Sequence, residues 1–246
     1  MPAHATEGWW NRGDCARPAD QGTESGTGSA KKAGRATPTA DEPTEVKPER
    51  TPTRSAEPAP TVDPHPALEH LVIATTGLGP LTVGSIPPAD NPGAAMIEWD
   101  ADACADTAEE NPEIGRWTSS GYGEDTGYTG DPVVPFAVDA SDAGVHRIDV
   151  LGSSPATAEG IHIRSTLDGL RATYPSLTGP VAGPGSQVWI LQDASGSVAF
   201  ETQGDADGLR PPGTVESVIL IRILAPGYPA DFATANSGDV AGACVL

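Results

Sequence analysis

TAEGIHIRSTLDGLRATYPSL, residues 157–177, packs a strand signal, a helix start, a helix and a helix stop into one short run. Ile161 and Ile163 alternate with His162 and Arg164, the period of a half-buried strand. Ser165 or Thr166 then serves as an N-cap, and Asp168, three residues after Ser165, completes a variant of the capping box. Leu167, Leu170 and Tyr174 fall at i, i+3 and i+7 and so share one helix face, and Pro175 ends the helix. A helix this short is marginal alone, so its apolar face must be buried against a sheet.

The flanking chain supplies that sheet. Val133 to Val138, Val145 to Leu151, Gln187 to Leu191, Ser197 to Glu201 and Val215 to Leu224 are apolar, β-branched or alternating, and each is bounded by Gly, Pro, Asp or Ser. His70 to Thr76 and Ala95 to Trp99 read as two further strands. The reading is therefore an α+β fold, mainly antiparallel sheet with short helices.

Composition changes near residue 66. Residues 1–66 are rich in Pro, Thr, Ala, Glu and Lys, with little beyond Trp9 and Trp10 to build a core, and are predicted to be a disordered, semi-stiff tether. Residues 67–246 are the folded domain, divisible into units 67–150 and 151–246. The tether holds 8 of the 14 Lys and Arg and 10 of the 34 Asp and Glu, which leaves the domain with 6 and 24, a net charge of −18 and no lysine. Such a field repels phosphate backbones and anionic lipid, so nucleic acid and membrane surfaces are disfavoured as partners of the domain. No run of 18 apolar residues is present to span a membrane.

Met1 to Ala30 shows no basic region followed by an apolar run, so no signal peptide is read there. A Pro/Thr/Glu tether ahead of a Cys-poor, lysine-free domain is nevertheless the layout of an exported or envelope-attached protein, with a start expected upstream. Asn11-Arg12-Gly13-Asp14 is the wrong chemistry for a lipid-attachment site at Cys15. Cys104 and Cys244 are expected to form a disulfide, a bridge worth on the order of 4–5 kcal/mol in the chain-entropy picture, with two buried thiols as the alternative.

Sites of chemistry are scarce. Gly77-Leu78-Gly79-Pro80 is no phosphate loop, because Pro80 removes an amide and no Walker lysine follows. Asp100, Asp102 and Asp106 lack the glycine and the terminal glutamate of a calcium loop. The chain contains neither a Gly-x-Ser-x-Gly elbow nor a His-Glu-x-x-His helix. His146 and His162 lie on neighbouring strand candidates and could meet, but strand histidines more often simply face solvent. No enzyme, metal or cofactor is predicted. Glu109 to Asp131 reads instead as a long Gly-, Tyr- and acid-rich loop, and its Trp117, Tyr122 and Tyr128 are the candidate binding residues. The alternative for them is a lid folded back on the sheet.

Two motifs carry a resemblance. Gly-Ile-x-Ile-x-Ser-Thr-Leu-x-x-Leu-Arg-x-x-Tyr-Pro at 160–175 and Gly77-Leu78-Gly79-Pro80-Leu81-x-Val83-Gly84 resemble the tandem units of uncharacterised actinobacterial exported proteins and lipoproteins. More distantly they are similar to β-lactamase inhibitory protein and to small outer-membrane assembly lipoproteins. The resemblance implies units that pair short helices with an antiparallel sheet; it transfers no functional residue. Arg164 stands where such units carry Gly. Gly77 to Ser85 and Gly160 to Thr166 would then be equivalent, a repeat of about 83 residues. Function is expected to be a non-catalytic binding or structural role toward a protein or cell-wall ligand. A hydrolase assembled from dispersed residues, or a protein inhibitor, is the alternative.

Overall fold

The structure, a computed structural model, describes residues 63–104, 115–205 and 211–242. The chain divides into two units, 1–56 and 57–246; the first, with most of the predicted tether and Cys15, lies outside the described residues, as does Cys244.

Fourteen strands are described: β1 (Val72–Ala74), β2 (Gly77–Leu78), β3 (Leu81–Thr82), β4 (Ile97–Asp100), β5 (Arg116–Ser119), β6 (Asp125–Thr126), β7 (Pro132–Val133), β8 (Phe136–Ser141), β9 (Gly144–Val150), β10 (Ala156–Thr157), β11 (Thr178–Gly183), β12 (Ser186–Asp193), β13 (Gly196–Gln203) and β14 (Ser217–Leu224). One α-helix, α1 (Leu167–Thr173), lies among the described residues. The main sheet is antiparallel throughout, in the order β11-β12-β13-β14-β9-β8-β5-β4. A smaller sheet, β10-β1-β2-β3, contains one parallel pair, β1 with β10, and β6 and β7 form a hairpin. The fold is a sheet-rich α+β fold, as the patterning predicts.

Each face of the main sheet is covered. Phe136, Val138, Ile148, Val150, Val198, Phe200, Ile221 and Ile223 point into the larger core, where they meet Leu170 of α1 and Leu71, Ile73, Leu78 and Leu81 of the small sheet. Val188, Ile190, Ala199 and Leu224 point the other way and pack with Ala230 from the C-terminal segment. The small sheet's outer strand, β3, is closed by a side chain: Asn91 Oδ1 accepts from the Thr82 amide at 3.0 Å and its Nδ2 donates to the Thr82 carbonyl at 2.8 Å. That bidentate pairing imitates a neighbouring strand and leaves less open edge.

Helix α1 forms for the reasons its sequence gives. Thr166 is the N-cap, its Oγ1 accepting from the Gly169 amide at 3.1 Å. Ser165 is not the cap, so Asp168 falls one position short of a capping box and sits in the first turn, where a carboxylate still suits the helix dipole. Leu170 is buried, and Leu167 and Tyr174 pack against the same core.

The expected strand at Ile161–Ile163 is absent. Both isoleucines are buried and Arg164 is exposed, so the alternation is real, but the backbone turns instead of extending. The cause is Arg164 at φ +80, whose amide donates to the Val218 carbonyl at 2.8 Å. It is the one non-glycine residue with positive φ among the described residues. Left-handed backbone costs an L-residue roughly 1–2 kcal/mol, and glycine gives back about 0.5–1 kcal/mol as unfolded-state entropy. Arg164→Gly should therefore raise stability by about 0.5–1 kcal/mol, read as an increased urea midpoint at unchanged slope; a lower midpoint would contradict the argument.

Other boundaries shift for local reasons. The strand read at Ala95–Trp99 starts at Ile97, because Ala94–Met96 is a 3₁₀ turn. The strand read over Val133–Val138 is split into β7 and β8 around Val134-Pro135. The stretch read as a loop from Glu109 to Asp131 contains β5 and β6, while 105–114 lie outside the described residues. Residues 63–66, assigned to the tether on composition, dock on the fold: His65 stacks on Tyr122 with ring centres 4.3 Å apart, and its Nε2 lies 2.8 Å from the Ser120 carbonyl oxygen.

Candidate functional site

At one end of the main sheet, β4 is the edge strand and pairs with β5 so that Trp99 stands opposite Trp117. The two indoles meet edge to face at 5.7 Å and 66°. Trp99 is 54% exposed, the one such tryptophan among the described residues. Its ring rests on the backbone of Gly115, where an added Cβ would lie 2.0 Å from its Cζ2. The glycine makes room for the ring, and the Trp117 edge limits where it can swing. β5 is paired with β8 only through Trp117–Val138 and Thr118–Ala137. Beyond that the strands part, and a cleft of about 280 Å³ opens, lined by Trp99, Arg116, Trp117, Asp139, Arg147 and Asp239 among others.

The floor of this cleft is held by ionic groups. Arg147 is 5% exposed; its Nε lies 3.3 Å from Asp149 Oδ1, its Nη1 3.6 Å from Asp239 Oδ2, and its Nη2 donates to the Asp239 carbonyl at 2.9 Å. Asp149 also accepts from the Ala241 amide at 2.7 Å. Burial pushes its pKa up to about 6, against the opposing pull of Arg147, the Ala241 amide and Arg222. Arg222, paired in register with Asp149, is buried, sits over the Phe232 ring at 4.4 Å and donates to the Phe232 carbonyl. Burial lowers its pKa. Glu201 accepts from Ser186 Oγ at 2.5 Å, the Thr234 amide at 2.8 Å and the Ala235 amide at 3.1 Å. These charges fasten the C-terminal segment across the sheet, and that segment supplies one wall of the cleft.

The sequence candidates fall in three different settings. Trp117 lines the cleft. Tyr122 is folded back on the core, stacked on His65, edge-on to Phe136 at 5.5 Å and donating to the Pro66 carbonyl at 3.0 Å. Burial and Asp63 raise its pKa to about 12. Tyr128, 37% exposed in the β6–β7 turn, lines a separate, apolar cavity of about 210 Å³ with Val133, Ile219 and Leu220. No shared surface joins the three. Trp99 was not among the sequence candidates, although an outward tryptophan in Ile97-Glu98-Trp99-Asp100 facing Gly115-Arg116-Trp117 is the signal that would have found it.

His146 and His162 are not brought together: His146 stacks on Tyr228 at 5.5 Å and bonds Ser141, while His162 Nδ1 meets the Ile163 carbonyl oxygen at 2.6 Å. Among the described residues no group of three or more His, Cys, Asp or Glu is placed to hold a metal ion. Cys104 is buried. A larger cleft of about 380 Å³ beside α1 is lined by Asp168, Arg171, Tyr174 and Trp189. There Arg171 lies over the Trp189 ring at 5.3 Å and the Tyr174 hydroxyl donates to Glu159.

No family model and no curated protein matches this chain. A solved structure, that of the uncharacterized protein yfeY from Escherichia coli, is similar over 62% of this chain and 99% of that one, at 15% identity and a TM-score of 0.35. A likeness that distant carries no argument about function.

Proposed function

We propose that the domain is a non-catalytic binding module of an exported or envelope-attached protein, and that the Trp99–Trp117 cleft holds its ligand. The observation that supports this reading is the tryptophan kept more than half exposed on an edge strand and seated on Gly115 beside a buried arginine. Aromatic groups fixed at a surface over a concave, polar-floored site are how binding surfaces gain contact area at low entropic cost. The acidic, lysine-free domain and its Pro-rich tether favour an extracellular ligand over nucleic acid or anionic lipid. A hydrolase or a protein inhibitor is the other reading, with no particular contact in its favour.

Two finer expectations belong to the same proposal. Cys104 pairs with Cys244, which non-reducing peptide mapping tests directly; a bridge from Cys104 to Cys15 would overturn it. The chain is also a tandem duplication: β4-β5-β8-β9 and β11-β12-β13-β14 each run from an outer edge to the centre, and the parallel pair β1 and β10 precedes each half. An alignment of homologues that failed to superpose residues 67–150 on 151–246 would count against that.

Trp99→Ala decides the binding reading. In sedimentation with an envelope fraction of the producing organism, the wild-type domain should co-sediment and the variant should lose at least 80% of that retention, roughly the effect of losing one aromatic anchor. Because Trp99 is largely exposed, thermal stability should hardly change. Equal retention of the two proteins would refute the cleft as the site.

A further inference from the structure

We infer that the ligand of the Trp99–Trp117 cleft is a neutral saccharide, one pyranose ring of a larger glycan lying on the Trp99 indole. This inference deepens the binding reading above and depends on it. A pyranose has a flat face of C–H groups and a rim of hydroxyls, each able to donate and to accept a hydrogen bond. The cleft presents a matching pair of surfaces. The Trp99 indole is a flat apolar platform seated against Gly115, with the Trp117 ring in an edge-to-face arrangement beside it, ring centres 5.7 Å apart. Around it stand polar groups to meet a hydroxyl rim: the Arg116 guanidinium, whose Nη1 also donates to the Gly115 carbonyl at 2.7 Å, the Asp139 carboxylate, and the Arg147–Asp239 pair, which is bound to itself and to Asp149.

Charge narrows the ligand class. Two arginines and two aspartates make the lining formally neutral, inside a domain whose net charge is −18. An anionic ligand would approach against the domain's field, whereas a cationic one is drawn by that field but meets no unbalanced negative charge in the lining, and choline is its test case. A neutral ligand that both donates and accepts meets neither penalty. Arg147 is also held in place before any ligand arrives, by Asp149 and Asp239, so little side-chain freedom is lost on binding. The volume of about 280 Å³ lies just below the range of small-molecule sites, roughly 300–1,000 Å³, which suits one ring and not a long chain. Affinity for a single ring should be weak, with a Kd on the order of 1 mM.

The test is titration of the intact chain with triacetylchitotriose, cellotriose and maltotriose, and separately with choline chloride, followed by isothermal calorimetry and by the indole N–H signals in proton–nitrogen NMR. Saturable binding of at least one oligosaccharide is expected, with a shift at the Trp99 indole. Trp99→Ala should weaken binding at least tenfold, and Trp99→Phe should restore part of it. Circular dichroism and thermal melts establish that both variants are folded. Choline binding without oligosaccharide binding overturns the ligand class. So does failure to bind any of the three sugars while envelope retention still depends on Trp99, and in that case the binding reading stands. If retention is also independent of Trp99, both fall together.

Discussion

Glu201→Ala should destabilise the domain by about 3–5 kcal/mol, a large part of the 5–15 kcal/mol typical of a folded domain. The carboxylate is buried on β13 and takes hydrogen bonds from the Ser186 hydroxyl and from the Thr234 and Ala235 amides. Removing it strands two backbone amides and a hydroxyl, each costing roughly 1–3 kcal/mol when left unpaired. It also takes an anion away from Arg222, which is itself buried and has no hydrogen-bond partner at Nε or Nη1. Glu201→Gln keeps an acceptor and should recover part of the loss. Urea unfolding measures the stability difference, and limited proteolysis should cut the alanine variant first near Thr234, where the fastening is lost. A loss below about 1 kcal/mol would show that these hydrogen bonds are replaced by water.

The second large effect is on pH. Asp149 has its pKa raised to about 6 in the folded protein by burial, against an ordinary value near 3.9 once unfolded. Between those values the folded state keeps a proton that the unfolded state has released. The stabilisation it gives is complete below about pH 4 and is lost as pH rises through about 6, a change on the order of 3 kcal/mol. Wild type should therefore lose that much between pH 4 and 7 relative to Asp149→Asn, whose side chain does not titrate. Urea midpoints at several pH values for the two proteins read the difference. Parallel pH profiles would show that Asp149 ionises normally in the fold.

How much of this was legible in the sequence depends on which force sets each feature. α1 was readable because Thr166, Leu170 and Pro175 act locally, and β9, β12, β13 and β14 because apolar and β-branched residues alternate or run together between turn residues. Ile161 and Ile163 misled because burial alternation and extended backbone usually coincide, and Arg164 separates them by turning left-handed. The ionic row was hidden for a different reason. Arg147, Asp149, Glu201 and Arg222 each look like ordinary outward residues of an alternating strand, and only the arrival of residues 225–242 over that face makes them interior. Trp117 was legible as an aromatic in a polar setting, whereas Trp99 was read as the end of a strand, and only the pairing of β4 with β5 sets it opposite Trp117. Tyr122 was read as either a binding aromatic or part of a lid folded back on the sheet; it folds back, and its cover, His65 and Pro66, was not foreseen because it belongs to a segment whose composition resembles the tether.

Strand order also bears on how the protein is made. On a growing chain β4, β5, β8 and β9 are complete once Val150 has emerged, yet the inner side of β9 is paired only by β14, which ends at Leu224. Synthesis of the intervening residues takes on the order of 5–15 s, and throughout that interval β9 is an open edge, a template for pairing with another chain. Arg147 and Asp149 sit on that edge. Charges on the inward face of an unpaired strand are a known deterrent to such pairing, so the residues that are expensive in the finished interior guard the nascent half-sheet. The sheet is sealed last at its middle, and a strand paired on both sides in the mature fold waits with one side open until β14 arrives.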